Sequence, residues 1–278
     1  WKPPTPFTVK SAQGEWDLYG LLYTPTEMKP DAKLPVIVYI YPGPQGGSVG
    51  SWSFSASRRD NQALAELGFV VVQLEGSCNP DRSKSFHDAC YGEMGENTLP
   101  DQISGLKQLQ EKYKFLDLDK VGIWGHSGGG FATAAAMFKY PDFFKVGISE
   151  SGNHDNRNYE DDWGERYIGL ETKDSNGVSN YEKQANQTFA KDLKGKLLLI
   201  HGGMDDNVPP YNSYLVADAL IKANKDFDFL LLPNARHGFG MDSDYIMRRR
   251  WDYFLAHLMQ ATTPKEYLIK VDPDPRLK

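Results

Sequence analysis

Cysteine is scarce in this chain: two in 278 residues, Cys78 and Cys90, twelve positions apart. That is not metal-ligand spacing, so no zinc site is expected. An oxidising compartment, periplasmic or extracellular, would let the two pair across the loop from Asn79 to Ala89, and two ordinary thiols are the equal alternative. No apolar run approaches the ~18 residues of a membrane-spanning helix. No block of basic residues offsets the net charge of -6, which removes the electrostatic footprint of a nucleic-acid or anionic-membrane binder. Internal repeats and low-complexity segments are absent, as is an opening segment of the signal-peptide type. The chain begins at Trp1 and reads as a piece of something longer. A small molecule or a peptide is the expected partner.

What is present suits one large α/β domain with a sizeable core. Phe7 to Lys10 and Asp17 to Thr24 read as a hairpin. Pro35 to Tyr41 is a near-continuous apolar run, as a strand buried on both faces requires, and it ends in the loop Pro42-Gly-Pro-Gln-Gly-Gly. A polar segment follows. Helical patterns at Asn61 to Leu67, Pro100 to Tyr113, Phe131 to Tyr140, Tyr211 to Ala223 and Tyr245 to Met259 alternate with strand patterns. Those strands are Phe69 to Leu74, a run entering at Val121, Val146 to Ser149, Lys196 to Ile200 and Phe227 to Leu232. Such alternation predicts a mostly parallel sheet with helices on both faces, in a single domain.

The most informative stretch is Val121 to Gly130, Val-Gly-Ile-Trp-Gly-His-Ser-Gly-Gly-Gly. It holds Gly-x-Ser-x-Gly between a strand and a helix, the setting that strains the central residue and lifts its side chain clear of the sheet. Ser127 is therefore the candidate nucleophile. A serine hydroxyl needs a base, and the base needs an acid partner. In open α/β sheets such groups lie beyond the carboxyl ends of strands. Asp205 and Asp206 follow the strand ending at Ile200, and His237 follows the strand ending at Leu232. The chain order Ser, Asp, His is that of an α/β-hydrolase. His87, His154 and His257 read as packed or solvated imidazoles. His201 reads as a supporting residue, and the His126 side chain is expected to leave Ser127 in another direction.

Five elements in this order resemble the catalytic domain of the prolyl oligopeptidase family, most closely its dipeptidyl-peptidase IV-like branch. They are Tyr41-Pro-Gly-Pro, Gly125-His-Ser-Gly-Gly-Gly, Tyr159 through Trp163-Gly-Glu-Arg-Tyr-Ile-Gly, His201-Gly-x-x-Asp-Asp-Asn-Val-Pro, and His237-Gly. The resemblance implies a serine peptidase acting on short peptides after proline or a small residue. It assigns Ser127 as nucleophile, Asp205 as orienting acid and His237 as base, with Tyr41 and the backbone N–H of Gly128 as oxyanion donors. A tyrosine at a strand end beside a Gly-rich loop suits that role. The resemblance also makes Asn207 a holder of a substrate carbonyl and Tyr159 and Trp163 the walls of a P1 pocket, to which Val208 adds. Spaced by four, Tyr159 and Trp163 are expected on one helix face. No metal or cofactor is called for, and a homodimer is compatible.

The departures from the family pattern are Gly128 and Trp163 where tyrosines are usual, and Glu75-Gly-Ser-Cys-Asn-Pro-Asp-Arg in place of a tight Asp-Gly-Arg-Gly turn. The first two reshape the P1 pocket. The family's N-terminal β-propeller, which sets exo- against endopeptidase action, is not part of this sequence. Two rival readings stand beside the peptidase. An esterase on the same scaffold is opposed by Tyr41-Pro-Gly-Pro in place of a His-Gly-Gly-Gly loop. A non-catalytic domain is opposed by the intact Ser, Asp and His set.

Overall fold

A computed structural model describes residues 3–49, 60–96 and 98–269; part of the polar segment ahead of Asn61 lies outside them. The strands are β1 (Thr5–Lys10), β2 (Asp17–Tyr23), β3 (Leu34–Tyr39), β4 (Val70–Leu74), β5 (Leu116–His126), β6 (Phe144–Glu150), β7 (Lys196–Gly202) and β8 (Asp228–Leu232). The helices are α1 (Asn61–Glu66), α2 (Lys84–His87), α3 (Leu99–Lys112), α4 (Gly128–Lys139), α5 (Asp161–Tyr167), α6 (Tyr211–Lys222) and α7 (Ser243–Leu258).

Among the described residues the strands form one sheet in the order β1-β2-β4-β3-β5-β6-β7-β8. The β1–β2 hairpin joins β4 antiparallel, and every pairing from β4 through β8 is parallel. The period-two alternation of a strand explains the two-sided core. Val36 and Val38 of β3 and Val121 and Ile123 of β5 face a core shared with Leu106 of α3, Phe131 of α4 and Leu220 of α6. Ile37, Tyr39 and Trp124 face the opposite core, shared with Leu64 of α1 and Phe254 of α7. Both faces being dry there, residues 36–39 of β3, 70–72 of β4 and 121–124 of β5 carry no charged side chain.

Three boundaries differ from the sequence reading for physical reasons. Strand β3 stops at Tyr39, two residues before Tyr41; the Ile40 N–H still reaches the Trp124 carbonyl at 3.0 Å, and Pro42, with no N–H, cannot carry the ladder further. Strand β5 starts at Leu116, so the charged stretch Asp117 to Lys120 is strand despite its polarity, with a register shift opposite Pro35 and Val36. Helix α4 begins at Gly128, where three glycines conceal a helix start from propensity.

Candidate active site

Strand β5 hands over to α4 through Ser127, whose φ of 59° and ψ of -121° are rare for a residue with a side chain. The conformation is held by its neighbours: the Ser127 N–H donates to the Glu150 carbonyl at 2.8 Å. Glycine is required around it. A Cβ on Gly125 would stand 2.3 Å from the Ile40 carbonyl oxygen, and one on Gly129 would stand 2.2 Å from that same atom. Gly128 is different, since a Cβ there meets nothing nearer than the Pro42 oxygen at 3.6 Å. Its glycine leaves space beside the serine instead of avoiding a clash. The first bond across this turn runs from the Phe131 N–H to the Ser127 carbonyl at 3.0 Å. The N–H groups of residues 128 to 130 thus open the helix without an intrahelical acceptor, at its positive dipole end.

Beyond β7 and β8 the loops bring Asp205 and His237 together. Asp205 Oδ2 accepts from His237 Nδ1 at 2.7 Å, and Oδ1 accepts the N–H groups of Asn207 at 3.1 Å and Val208 at 2.9 Å. Burial alone would raise the Asp205 carboxyl. His201, His237 and the Val208 N–H outweigh it and hold the group well below the usual carboxylate range. His201 is fully buried, with Nδ1 on the Ser213 hydroxyl at 2.7 Å and Nε2 on the Val208 carbonyl at 2.9 Å, so it braces the Asp205 loop. Asp206 is exposed and paired with Arg236, which separates the two adjacent aspartates by environment. The His237 ring packs on that of His126, centroids 4.6 Å apart, and His126 also meets Phe239 edge-on at 5.2 Å. His126 does leave Ser127, but toward His237, a contact the sequence did not suggest.

Tyr41 lies in the loop after β3. Gln45 Nε2 donates to its hydroxyl oxygen at 3.3 Å, while Gln45 Oε1 accepts from Trp163 Nε1 at 3.3 Å. With its oxygen so engaged, the Tyr41 O–H remains a donor. The loop is fastened from outside: Gln73 donates to the Ser48 carbonyl at 3.0 Å, Glu75 accepts the Val49 N–H at 2.9 Å, and His87 Nε2 contacts the Pro44 carbonyl at 2.6 Å. His87 is therefore a tether, not a free imidazole. Its segment is closed on itself by a disulfide between Cys78 and Cys90, which settles the alternative the sequence left open. Closing a loop of this size is worth about 3 kcal/mol in the chain-entropy account. Reduction is accordingly expected to lower the thermal midpoint by roughly 5–10 °C for a domain of this size, as scanning calorimetry would register. Titration of two free thiols in the unreduced protein would sink this prediction.

Beside Ser127 and Gly128 a small pocket is lined by Tyr159, Trp163, Met94, Phe131, Asn153 and Asn156, with Pro42 and Gln45 at its rim. Helix α5 begins at Asp161 and Tyr159 precedes it in extended backbone, so the two aromatics do not share a helix face. They meet across the turn instead, edge to face at 5.8 Å, and Trp163 leans on Tyr167 at 5.2 Å. The Val208 side chain is completely buried, and its backbone groups meet Asp205 and His201. Asn207 is exposed. Asn153, Asn156, Met94 and Gln45 were not singled out from the sequence. The two asparagines follow the carboxyl end of β6, so the strand-end rule that found Asp205 and His237 would have reached them. Asn153 donates to Asn156 at 2.7 Å, giving the pocket a polar floor under aromatic walls.

Among the described residues no three His, Cys, Asp or Glu side chains converge on a metal-sized space, and no helix is long and apolar enough to cross a membrane. Residues 52–261 match the model of the prolyl oligopeptidase family, peptidase family S9. Human dipeptidyl peptidase 8 is 32% identical over 262 residues, covering 93% of this chain and 28% of that protein. The human prolyl endopeptidase FAP is 29% identical over 234 residues, 84% of this chain and 30% of the relative. The crystal structure of Porphyromonas gingivalis dipeptidyl peptidase 4 superposes with a TM-score of 0.82 at 26% identity, over 93% of this chain and 36% of that one. This chain thus spans under a third of the length of these curated relatives. It has the α/β-hydrolase fold, and it belongs to the prolyl oligopeptidase family of serine peptidases.

Proposed function

We propose that the chain is a single catalytic domain that hydrolyses short peptides after proline or a small residue, through Ser127, His237 and Asp205. The observation that carries this reading is the 2.7 Å bond between a buried Asp205 and His237, whose ring packs on His126, the residue directly before a serine held at φ 59°. Asp205 takes the Nδ1 proton of His237, which leaves Nε2 to accept the Ser127 proton as Oγ attacks the scissile carbonyl. The same imidazolium then returns a proton to the leaving amine. The oxyanion is met by the Gly128 N–H and the Tyr41 hydroxyl. Asn207, exposed beside the Asp205 loop, is the candidate partner of a substrate carbonyl. Tyr159 and Trp163 flank the P1 side chain, and the space left by Gly128 lies beside the nucleophile.

The test is hydrolysis of Gly-Pro, Ala-Ala and N-blocked Gly-Pro anilides beside a simple acetyl ester. Turnover of the free dipeptidyl anilides supports the peptidase reading. Turnover of the ester alone would replace it by an esterase on the same scaffold. Tyr41→Phe removes one donor and leaves the ring, and it is expected to lower kcat by roughly 10² to 10³ with KM little changed. An unaltered kcat would reassign Tyr41 to packing between Gln45 and the loop.

A further inference from the structure

Under the elbow lies a buried group of charges that the reaction just described does not use. Arg250 of α7 rests over the Trp124 ring at 3.6 Å and donates to Glu150 Oε1 from Nε at 3.0 Å and from Nη2 at 2.7 Å. Its Nη1 pairs with Asp60, which also accepts from Trp251 Nε1 at 3.2 Å. The side chains of Asp60, Glu150 and Arg250 are 2%, 3% and 8% exposed. Two carboxylates against one guanidinium leave the group one negative charge in excess, which burial makes expensive unless a further cation is within reach. Burial would raise the Glu150 carboxyl, but Arg250 and His126 outweigh it and hold the group below the usual range, so Glu150 stays ionised.

Glu150 reaches the site twice. Its carbonyl accepts the Ser127 N–H at 2.8 Å, and its Oε2 lies 3.7 Å from His126 Nδ1. His126 is the ring packed against His237, with centroids 4.6 Å apart and planes inclined by 58°. We propose that His126 and Glu150 form a second imidazole–carboxylate pair that positions the base, His126 fixing the plane of the His237 ring and Glu150 placing the buried negative charge one ring away from it. This rests on the reading of His237 as base. An imidazolium forming on His237 gains from a fixed negative charge in a dry setting, and a base held in plane loses less in reaching the serine proton. His126 is faced by Glu150 from β6 and by His237 with Phe239 from the loop after β8, and Arg250 of α7 stands on the other oxygen of Glu150. His237 is faced in turn by Asp205, behind which stands His201, with the exposed Asp206–Arg236 pair beside them.

The test uses the full chain as His126→Ala, His126→Phe and Glu150→Gln. The readouts are kcat and KM on the best anilide, the rate of Ser127 labelling by a fluorophosphonate followed by mass spectrometry across pH, and the thermal midpoint. His126→Ala is expected to lower kcat and the labelling rate about 10- to 100-fold with KM within twofold. His126→Phe, which restores a ring against His237, recovers part of that loss. Glu150→Gln lowers the plateau about tenfold and moves the acid limb of the labelling profile to lower pH, because the charge favouring the imidazolium is gone. Should Glu150→Gln not fold, the two His126 variants, which keep the buried charges, decide the question. Rates within twofold of wild type in both of them, with only the thermal midpoint lowered, would overturn the proposal while leaving the base assignment intact. A wild type that does not label at Ser127 would bring down the base assignment, and this proposal with it.

Discussion

Ser127→Ala is expected to reduce kcat on the best anilide by roughly 10⁶-fold while substrate binding and the fold persist. The size follows from what the serine does alone: without Oγ there is no acyl-enzyme, and His237 has no proton to take. The remaining oxyanion donors and the pocket would still leave some 10³ to 10⁴ of acceleration over water. The fold should tolerate the change because alanine and serine carry the same Cβ into the positive-φ conformation, so the strain is neither added nor relieved. The backbone bond from residue 127 to the Glu150 carbonyl is also untouched. The variant should therefore unfold within about 0.5 kcal/mol of wild type, as surface-like substitutions do, and bind product-like peptides unchanged. A kcat within tenfold of wild type would move the nucleophile elsewhere, and a collapsed thermal midpoint would mean the hydroxyl has a structural task.

The readability of this site divides along a physical line. Ser127, Asp205 and His237 were legible as candidates because each follows a strand with a marked apolar run, and because position beyond a strand end constrains what a polar residue is for. The strands β3, β4 and β7 and the latter part of β5 were legible for the same reason, since buried parallel strands read as apolar runs, while β8 shows the same run at a mostly exposed sheet edge. What was not legible depends on contacts between segments distant in sequence. Arg250 meets Asp60 across 190 positions and Glu150 across 100, and no periodicity marks a charge as buried. What ties Val208 to the Asp205 loop is its N–H on Asp205 Oδ1 and its carbonyl on His201, backbone contacts that no side-chain pattern announces. Tyr159 and Trp163 suggested one helix face by their spacing, but spacing predicts a face only where the helix exists, and α5 starts two residues after Tyr159. His87 passed as an ordinary histidine because its partner, the Pro44 carbonyl, is a backbone atom in a loop.

Asp205→Asn carries the second large expectation, a fall in kcat of about 10⁴ at neutral pH with KM nearly unchanged. The geometry makes the tautomer argument concrete. In wild type, Oδ1 is occupied by the N–H groups of Asn207 and Val208, and Oδ2 accepts the Nδ1 proton of His237. An asparagine would keep its carbonyl toward the two N–H groups, because turning it would oppose donor to donor. Its amide N–H₂ then faces His237, which must present Nδ1 as acceptor and carry its proton on Nε2. The base is thereby blocked on the side that faces the serine. Stability should follow pH in a defined direction. The Asp205 carboxyl is held below its unfolded value, so what it contributes is fully present above that value, ~3.9, and is lost only as pH falls toward the depressed one. The variant lacks that contribution, so its thermal midpoint should lie below wild type at pH 7, and the gap should narrow as both are taken to pH 3 and below. A gap independent of pH would show that Asp205 acts in the fold as a shape and not as a charge. A kcat loss below tenfold would transfer the orienting role to another acceptor, and Asp206, exposed and tied to Arg236, is badly placed to take it.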